Sequence, residues 1–316
     1  MSHRLTAYVY LLLVSAIWGW AGPVIKFTLS SFPPLIFLTY RFALSSIFAL
    51  VVWRGRIPFP KSKGKTFHIL LASLLTVPVA LLLLFLGFDR TSSLEGTLVA
   101  STSPLLTTIL GVLVLHDQIT KREKMGMLLA FAGTIFLVFE PIVSGDAIAI
   151  TGSVIGNGLI VLAMLSESIG FLITKVSLRE AIAPTTLSHL SFIVGFAVIS
   201  MISLFIYPID TIIHEIAEAP LNAHLGVWFM ALISGTLAYA LKNKALKSIE
   251  LSETTVFSYL SPIFAAPLAL FWLGEAIRPV FIFASFVIAI GVIMAEYKKK
   301  HRAHVKYVRR LPDNRL

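Results

Sequence analysis

A charged side chain inside a long apolar run costs about 2.5–3.5 kcal/mol at mid-membrane, so it marks either chemistry or a structural pair. Two such residues stand out here: Arg41, inside the apolar run 34–53, and Glu167, inside the run 150–175. A guanidinium can hold a carboxylate by paired hydrogen bonds, and a buried carboxylate can face an ammonium group or carry a proton. Trp18 and Trp20 offer apolar or cation-binding faces, and Tyr40 stands next to Arg41. Hydroxyls gather before two prolines: Ser101, Thr102 and Ser103 before Pro104, and Ser258, Tyr259 and Ser261 before Pro262. The candidate substrate-binding set is therefore Trp18, Trp20, Tyr40, Arg41, Ser101, Glu167 and Tyr259. An amino acid, with a carboxylate for Arg41 and an ammonium for Glu167, suits this set. Counted along helices at about 1.5 Å per residue, however, Arg41 and Glu167 differ in depth by only about 7 Å. They could equally pair with each other, and both readings stay open at this point.

Other chemistries lack their residues. Cysteine is absent, which removes disulfides, thiolate metal sites and cysteine nucleophiles together. There is no HExxH, no pair of aspartates within the spans and no Walker-type phosphate loop. An intramembrane enzyme or a sensor is the competing class, but no catalytic pair supports the first and a repeated sequence has no evident purpose in the second. No cofactor and no metal are expected. Glu95 and Glu253 open their helices, where a carboxylate complements the positive end of the dipole, and His189 reads as an interfacial residue.

The elements that must position these residues are membrane helices. Hydrophobic residues make up 57% of the 316 and charged residues only 13%, against roughly 25% charged in soluble domains. A soluble globule is excluded. A crossing helix needs about 20 apolar residues, and ten such runs lie near 6–26, 34–53, 67–88, 93–115, 124–140, 150–175, 185–207, 222–241, 251–273 and 279–297. The first run is too long for a signal peptide and has no clear cleavage site, so it is expected to be retained.

The net charge of +10 follows the positive-inside rule rather than pointing to nucleic acid. With both termini cytoplasmic, 22 of the 26 Lys and Arg residues fall on the inner side, including Lys121, Arg122, Lys124, Lys242 and the tail after Tyr297. Lys26, Arg90 and Arg278 fall outside, and Arg41 inside a span.

The sequence also repeats. Ser103-Pro104, the ending His116-Asp117 and Gly133 recur as Ser261-Pro262, Gly274-Glu275 and Gly291, all at an offset of 158, as do Glu95 and Glu253. A looser offset of 149 sets Lys26 against Lys175. Each copy has five runs, an odd number, so the second must enter the membrane in the opposite sense. The charges reverse accordingly: five basic residues follow the second run, and none lies between Pro208 and Leu221. The expected fold is an all-α integral membrane protein of ten transmembrane helices in two inverted-topology five-helix repeats, 1–145 and 146–297, with a basic cytoplasmic tail, 298–316.

These motifs, with the opening Ala16-Ile17-Trp18-Gly19 and Pro23, resemble the ten-helix EamA-type transporters of the drug/metabolite transporter superfamily. The departure is His116-Asp117, where Gly-Glu is usual. The resemblance implies a central cavity lined by the first four helices of each repeat, with the fifth and tenth packed outside. It also implies a secondary carrier in the cytoplasmic membrane that moves a small metabolite by alternating access. Export of an amino acid or related compound is the first expectation, and a cationic drug exporter relying on Glu167 is the second. The partners expected are a small-molecule substrate and the lipid bilayer, with no nucleic acid, in a monomer or weak dimer.

Overall fold

Backbone N–H and C=O groups find no water in a bilayer core, so each apolar run must satisfy its own. The computed structural model describes residues 3–52, 63–115, 120–143, 153–178, 184–246 and 257–296, and every regular element among them is helical. In the amino-terminal half these are α1 (His3–Thr28), α2 (Pro34–Val52), α3 (Lys63–Leu74), α4 (Ala80–Arg90), α5 (Ser93–Ala100), α6 (Ser103–Leu115) and α7 (Lys121–Val143). In the carboxyl-terminal half they are α8 (Ile155–Leu178), α9 (Pro184–Ile206), α10 (Ile209–Glu218), α11 (Leu221–Trp228), α12 (Ala238–Leu246), α13 (Ser261–Phe271) and α14 (Pro279–Glu296). A π-helical segment, Leu75–Val79, joins α3 to α4, and a second, Phe229–Leu237, joins α11 to α12.

Among the described residues, five stretches are both long and apolar enough to cross a membrane: Leu5–Thr28, Pro34–Val52, Thr66–Arg90, His189–Ile206 and Leu221–Lys242. Lys124–Leu137, Ile155–Gly170, Ser261–Phe271 and Pro279–Met294 form shorter apolar helices. The fourth run, expected as one helix over 93–115, is instead broken between α5 and α6. Pro104 has no N–H to continue the ladder. The Ser101 and Thr102 hydroxyls donate back to the carbonyls of Leu98 and Val99, each at 2.7 Å, so the break is satisfied locally. The ninth run behaves alike, α13 starting at Ser261 after a turn at Tyr259-Leu260. Arg54, Arg56, Lys61, Arg179, Lys247, the His116-Asp117 pair, Glu253 and everything beyond 296 lie outside the described residues.

The stretch from Pro208 to Leu221, read as a loop, contains α10. Its Ile209, Ile212, Ile213 and Ile216 recur at helical spacing; Ile212 is buried while Ile209 and Ile213 are exposed, the pattern of a helix lying along an interface.

Packing crosses between the halves. α1 lies on α12 and α13, and α8 lies on α3, α4 and α6, so the first helix of each half seats on the other half. α2 packs on α9, and α7 on α14. The last pair is close because glycines face it: a Cβ on Gly133 would come 2.9 Å from Ile288, and one on Gly291 would strike Ala130 and Gly126. Small residues let helix backbones approach in lipid, where the hydrophobic effect gives no drive. One core cluster gathers Phe32, Phe37, Phe42, Phe85 and Phe192 under α2.

Candidate functional site

Arg41 is carried on α2 and is only 3% exposed. Its guanidinium carbon lies 5.9 Å from the Phe42 ring centre and 5.5 Å from that of Phe85. Nε and Nη1 have no hydrogen-bond partner among the described residues. A buried guanidinium with unmade bonds is expensive, and the aromatic faces recover only part of that cost. Glu167, on α8, is not its partner. The Glu167 carboxylate accepts from Ser103 at 3.4 Å, at the break between α5 and α6, and the nearby cation acting on it is Lys242. Tyr239 lies within electrostatic reach of both Arg41 and Glu167. The two charges are thus not joined as an ion pair, and the Tyr239 phenol feels both.

Trp18 joins this group. Its Nε1 donates to the carbonyl of Ser234 at 3.2 Å, inside the second π-helical segment, where i→i+5 bonding leaves carbonyls available. The ring meets Tyr239 edge-on at 5.5 Å, and Lys242 Nζ sits 4.7 Å from the ring centre. Tyr239 in turn meets Phe192 edge-on at 6.5 Å. Arg41, Glu167 and Trp18 are therefore brought to one region, and Tyr239, Lys242 and Ser103 complete it.

The remaining candidates lie elsewhere. Trp20 is 39% exposed on the outer face of α1. The Tyr40 hydroxyl accepts from Trp228 Nε1 at 2.9 Å and shares a 3.2 Å bond with His224, which ties α2 to α11. Ser101 is spent on the Leu98 carbonyl. Tyr259 packs against the cluster formed by Leu98, Val99 and Met164. Lys242, counted as a topology marker on charge alone, turns inward at the end of its span. Tyr239 carries no sequence signal beyond being an aromatic residue in an apolar run.

The two π-helical segments mirror each other. At the repeat offset of 158, Leu75–Val79 falls on 233–237, within Phe229–Leu237. Each receives a hydrogen bond from the first helix of the other half: Trp18 to Ser234, and Ser166 Oγ to the Leu75 carbonyl at 2.9 Å.

A second polar cluster also joins the halves. Gly274 has the left-handed φ of 66° just past the end of α13, where the Glu275 N–H returns to the Ala269 carbonyl at 3.0 Å and satisfies one of the helix's last carbonyls. The turn aims Glu275 at the start of α5, where its carboxylate accepts from the N–H groups of Ser93 and Leu94 at 2.6 and 3.0 Å. Glu95, 6% exposed, pairs with Arg278 at 3.5 Å and accepts from Asn157 at 3.0 Å. Between them lies a cavity of about 280 Å³ lined by Ser92, Glu95, Ser153, Glu275 and Arg278.

The EamA-like transporter family model matches residues 5–139 and again 154–297. The chain belongs to the EamA-like transporter family. An uncharacterized transporter of Archaeoglobus fulgidus is 30% identical over 93% of this chain and 87% of its own length. The uncharacterized transporter YyaM of Bacillus subtilis is 26% identical over 93% and 94%. A probable amino-acid metabolite efflux pump of Salmonella typhimurium is 24% identical over 89% and 91%. A solved crystal structure, 16% identical, shares the fold with a TM-score of 0.62 over 93% of this chain and 97% of that one. The names borne by this EamA-like family and by these relatives are those of transporters rather than enzymes, and the apolar helices are those of a multi-pass membrane protein.

Proposed function

We propose that the chain is a secondary carrier that exports a small zwitterionic metabolite, an amino acid or a related compound, across the cytoplasmic membrane by alternating access. Arg41 takes the carboxylate, Glu167 faces the ammonium, and Trp18 with Tyr239 forms the aromatic wall between them. The observation that carries this reading is the buried Arg41 guanidinium, whose Nε and Nη1 lack partners among the described residues while the nearby acid bonds elsewhere. A structural ion pair would have joined the two. The name of the Salmonella relative agrees with the substrate class.

The ten-helix inverted repeat belongs to the same proposal, with boundaries at 1–145 and 146–297, both termini cytoplasmic, and the chain acting as a monomer or weak dimer. Mirrored π-helical segments and mirrored seating of α1 and α8 support it, because inverted repeats of this kind rock around a midplane site. The test is counterflow of a mixture of the twenty amino acids in liposomes, read by mass spectrometry. Arg41→Lys and Glu167→Gln should each lose most of the transport. Full activity in both, with unchanged pH dependence, would refute the assignment.

A further inference from the structure

Lys242 occupies a place that the proposed substrate site has a use for. Its Nζ lies over the face of Trp18, 4.7 Å from the ring centre, and that indole is held in place by its bond to Ser234. Glu167 acts on it electrostatically. The space around it is filled: the void bounded by Leu11, Ser15, Trp18, Lys242, Phe257 and Ser258 has a volume of about 10 Å³, room for one water at most. An ammonium on an indole face is an arrangement by which proteins bind organic cations, and here it lies within the field of a carboxylate.

We propose that Trp18 and Glu167 form a subsite for a primary ammonium group, that Lys242 occupies it while the carrier is empty, and that the transported amine binds by displacing Lys242. The proposal rests on the transport reading above. A carboxylate left alone in a low-dielectric interior is costly, and an empty carrier must still reorient. A tethered ammonium neutralises Glu167 during that step. When a zwitterion enters, its own ammonium takes over, so the charge of the subsite is unchanged. The displaced lysine has somewhere to go. It is the last residue of the apolar stretch Leu221–Lys242, Lys244 two positions on is exposed, and a four-carbon stem can carry its charge to the interface.

The test uses n-butylammonium, the side chain of lysine as a free molecule. The purified Lys242→Ala protein, which vacates that side chain beyond its Cβ, should bind n-butylammonium about tenfold more tightly than wild type in a thermal-shift titration, equivalent to about 1.4 kcal/mol. The neutral isostere n-butanol should show no such gain, and Glu167→Gln in the same background should abolish it. Lys242→Met, which keeps an apolar stem in place, controls for loss of folding and should bind neither probe. In liposomes, Lys242→Ala should lower the half-saturating concentration of the amino acid moved, while Lys242→Arg should not. Equal binding of butylammonium and butanol, or a gain that survives Glu167→Gln, would overturn the subsite. An unchanged half-saturation would overturn the displacement. Selective butylammonium binding in a protein that moves no solute would leave the subsite standing and overturn the transport reading instead.

Discussion

Arg41 is held where its charge is costly and its hydrogen-bonding capacity is unused. Replacing a buried, unpaired charge with an apolar residue of similar length removes its desolvation cost. Arg41→Met is therefore expected to melt at the same temperature as wild type or higher while losing transport, a split read by calorimetry and counterflow on the same preparation. A lower melting temperature would make the residue structural. Trp20→Leu, on the exposed face of α1, should leave transport unaltered. Arg41, Glu167 and Trp18 were legible in the sequence because a charge or an indole amid aliphatic residues stands out by type alone. Lys242 was not: at the end of a span, the rotation of the helix decides whether a lysine is a topology marker or an interior group, and composition does not record rotation. Whether Arg41 and Glu167 pair was also beyond reach, since similar depth says nothing of which helix faces which.

At the level of elements, Ser92 caps α5 by accepting from the Glu95 N–H, and Glu275 from the other half takes the two N–H groups left over, those of Ser93 and Leu94. Losing an N-terminal cap costs about 0.5–2 kcal/mol, so Glu275→Ala should lower the melting temperature, and Glu275→Asp, one methylene shorter, should recover only part of it. Gly291→Leu has a harsher expectation. Its side chain would collide with Ala130 and Gly126 of α7, and overpacking costs about 1–3 kcal/mol. Reduced yield and stability in detergent are the readout, and a neutral result would show that α7 and α14 are free to separate. Ser-Pro, the paired Glu95 and Glu253 and the paired Gly133 and Gly291 are legible as a repeat because the same residue types return at one fixed spacing. The π-helical segments are not. Pro78 sits within one of them, but the other contains no proline, and a single extra residue per turn leaves no compositional trace.

Across the whole molecule, the Glu95–Arg278 pair, Asn157 and the Glu275 cap fasten the halves together at one end. Alternating access would require that fastening to open. The absence of native cysteine makes this measurable: Ser153→Cys, on the wall of the cavity there, should react slowly with a membrane-impermeant maleimide in whole cells. It should react several-fold faster once Glu95→Gln weakens the pair. Unchanged labelling would mean that the cluster is not a gate.

The exchange of first helices has a consequence for how the chain is made. Trp18 hydrogen-bonds to a carbonyl 216 residues further along, and at about 5–20 residues per second of translation its partner emerges roughly 10–40 s later. Through that interval the first helix must wait in lipid without the surface it is shaped for. Neither half can complete its packing before the other has been made, and a nascent chain halted midway would present unsealed helix faces to the quality-control proteases of the membrane.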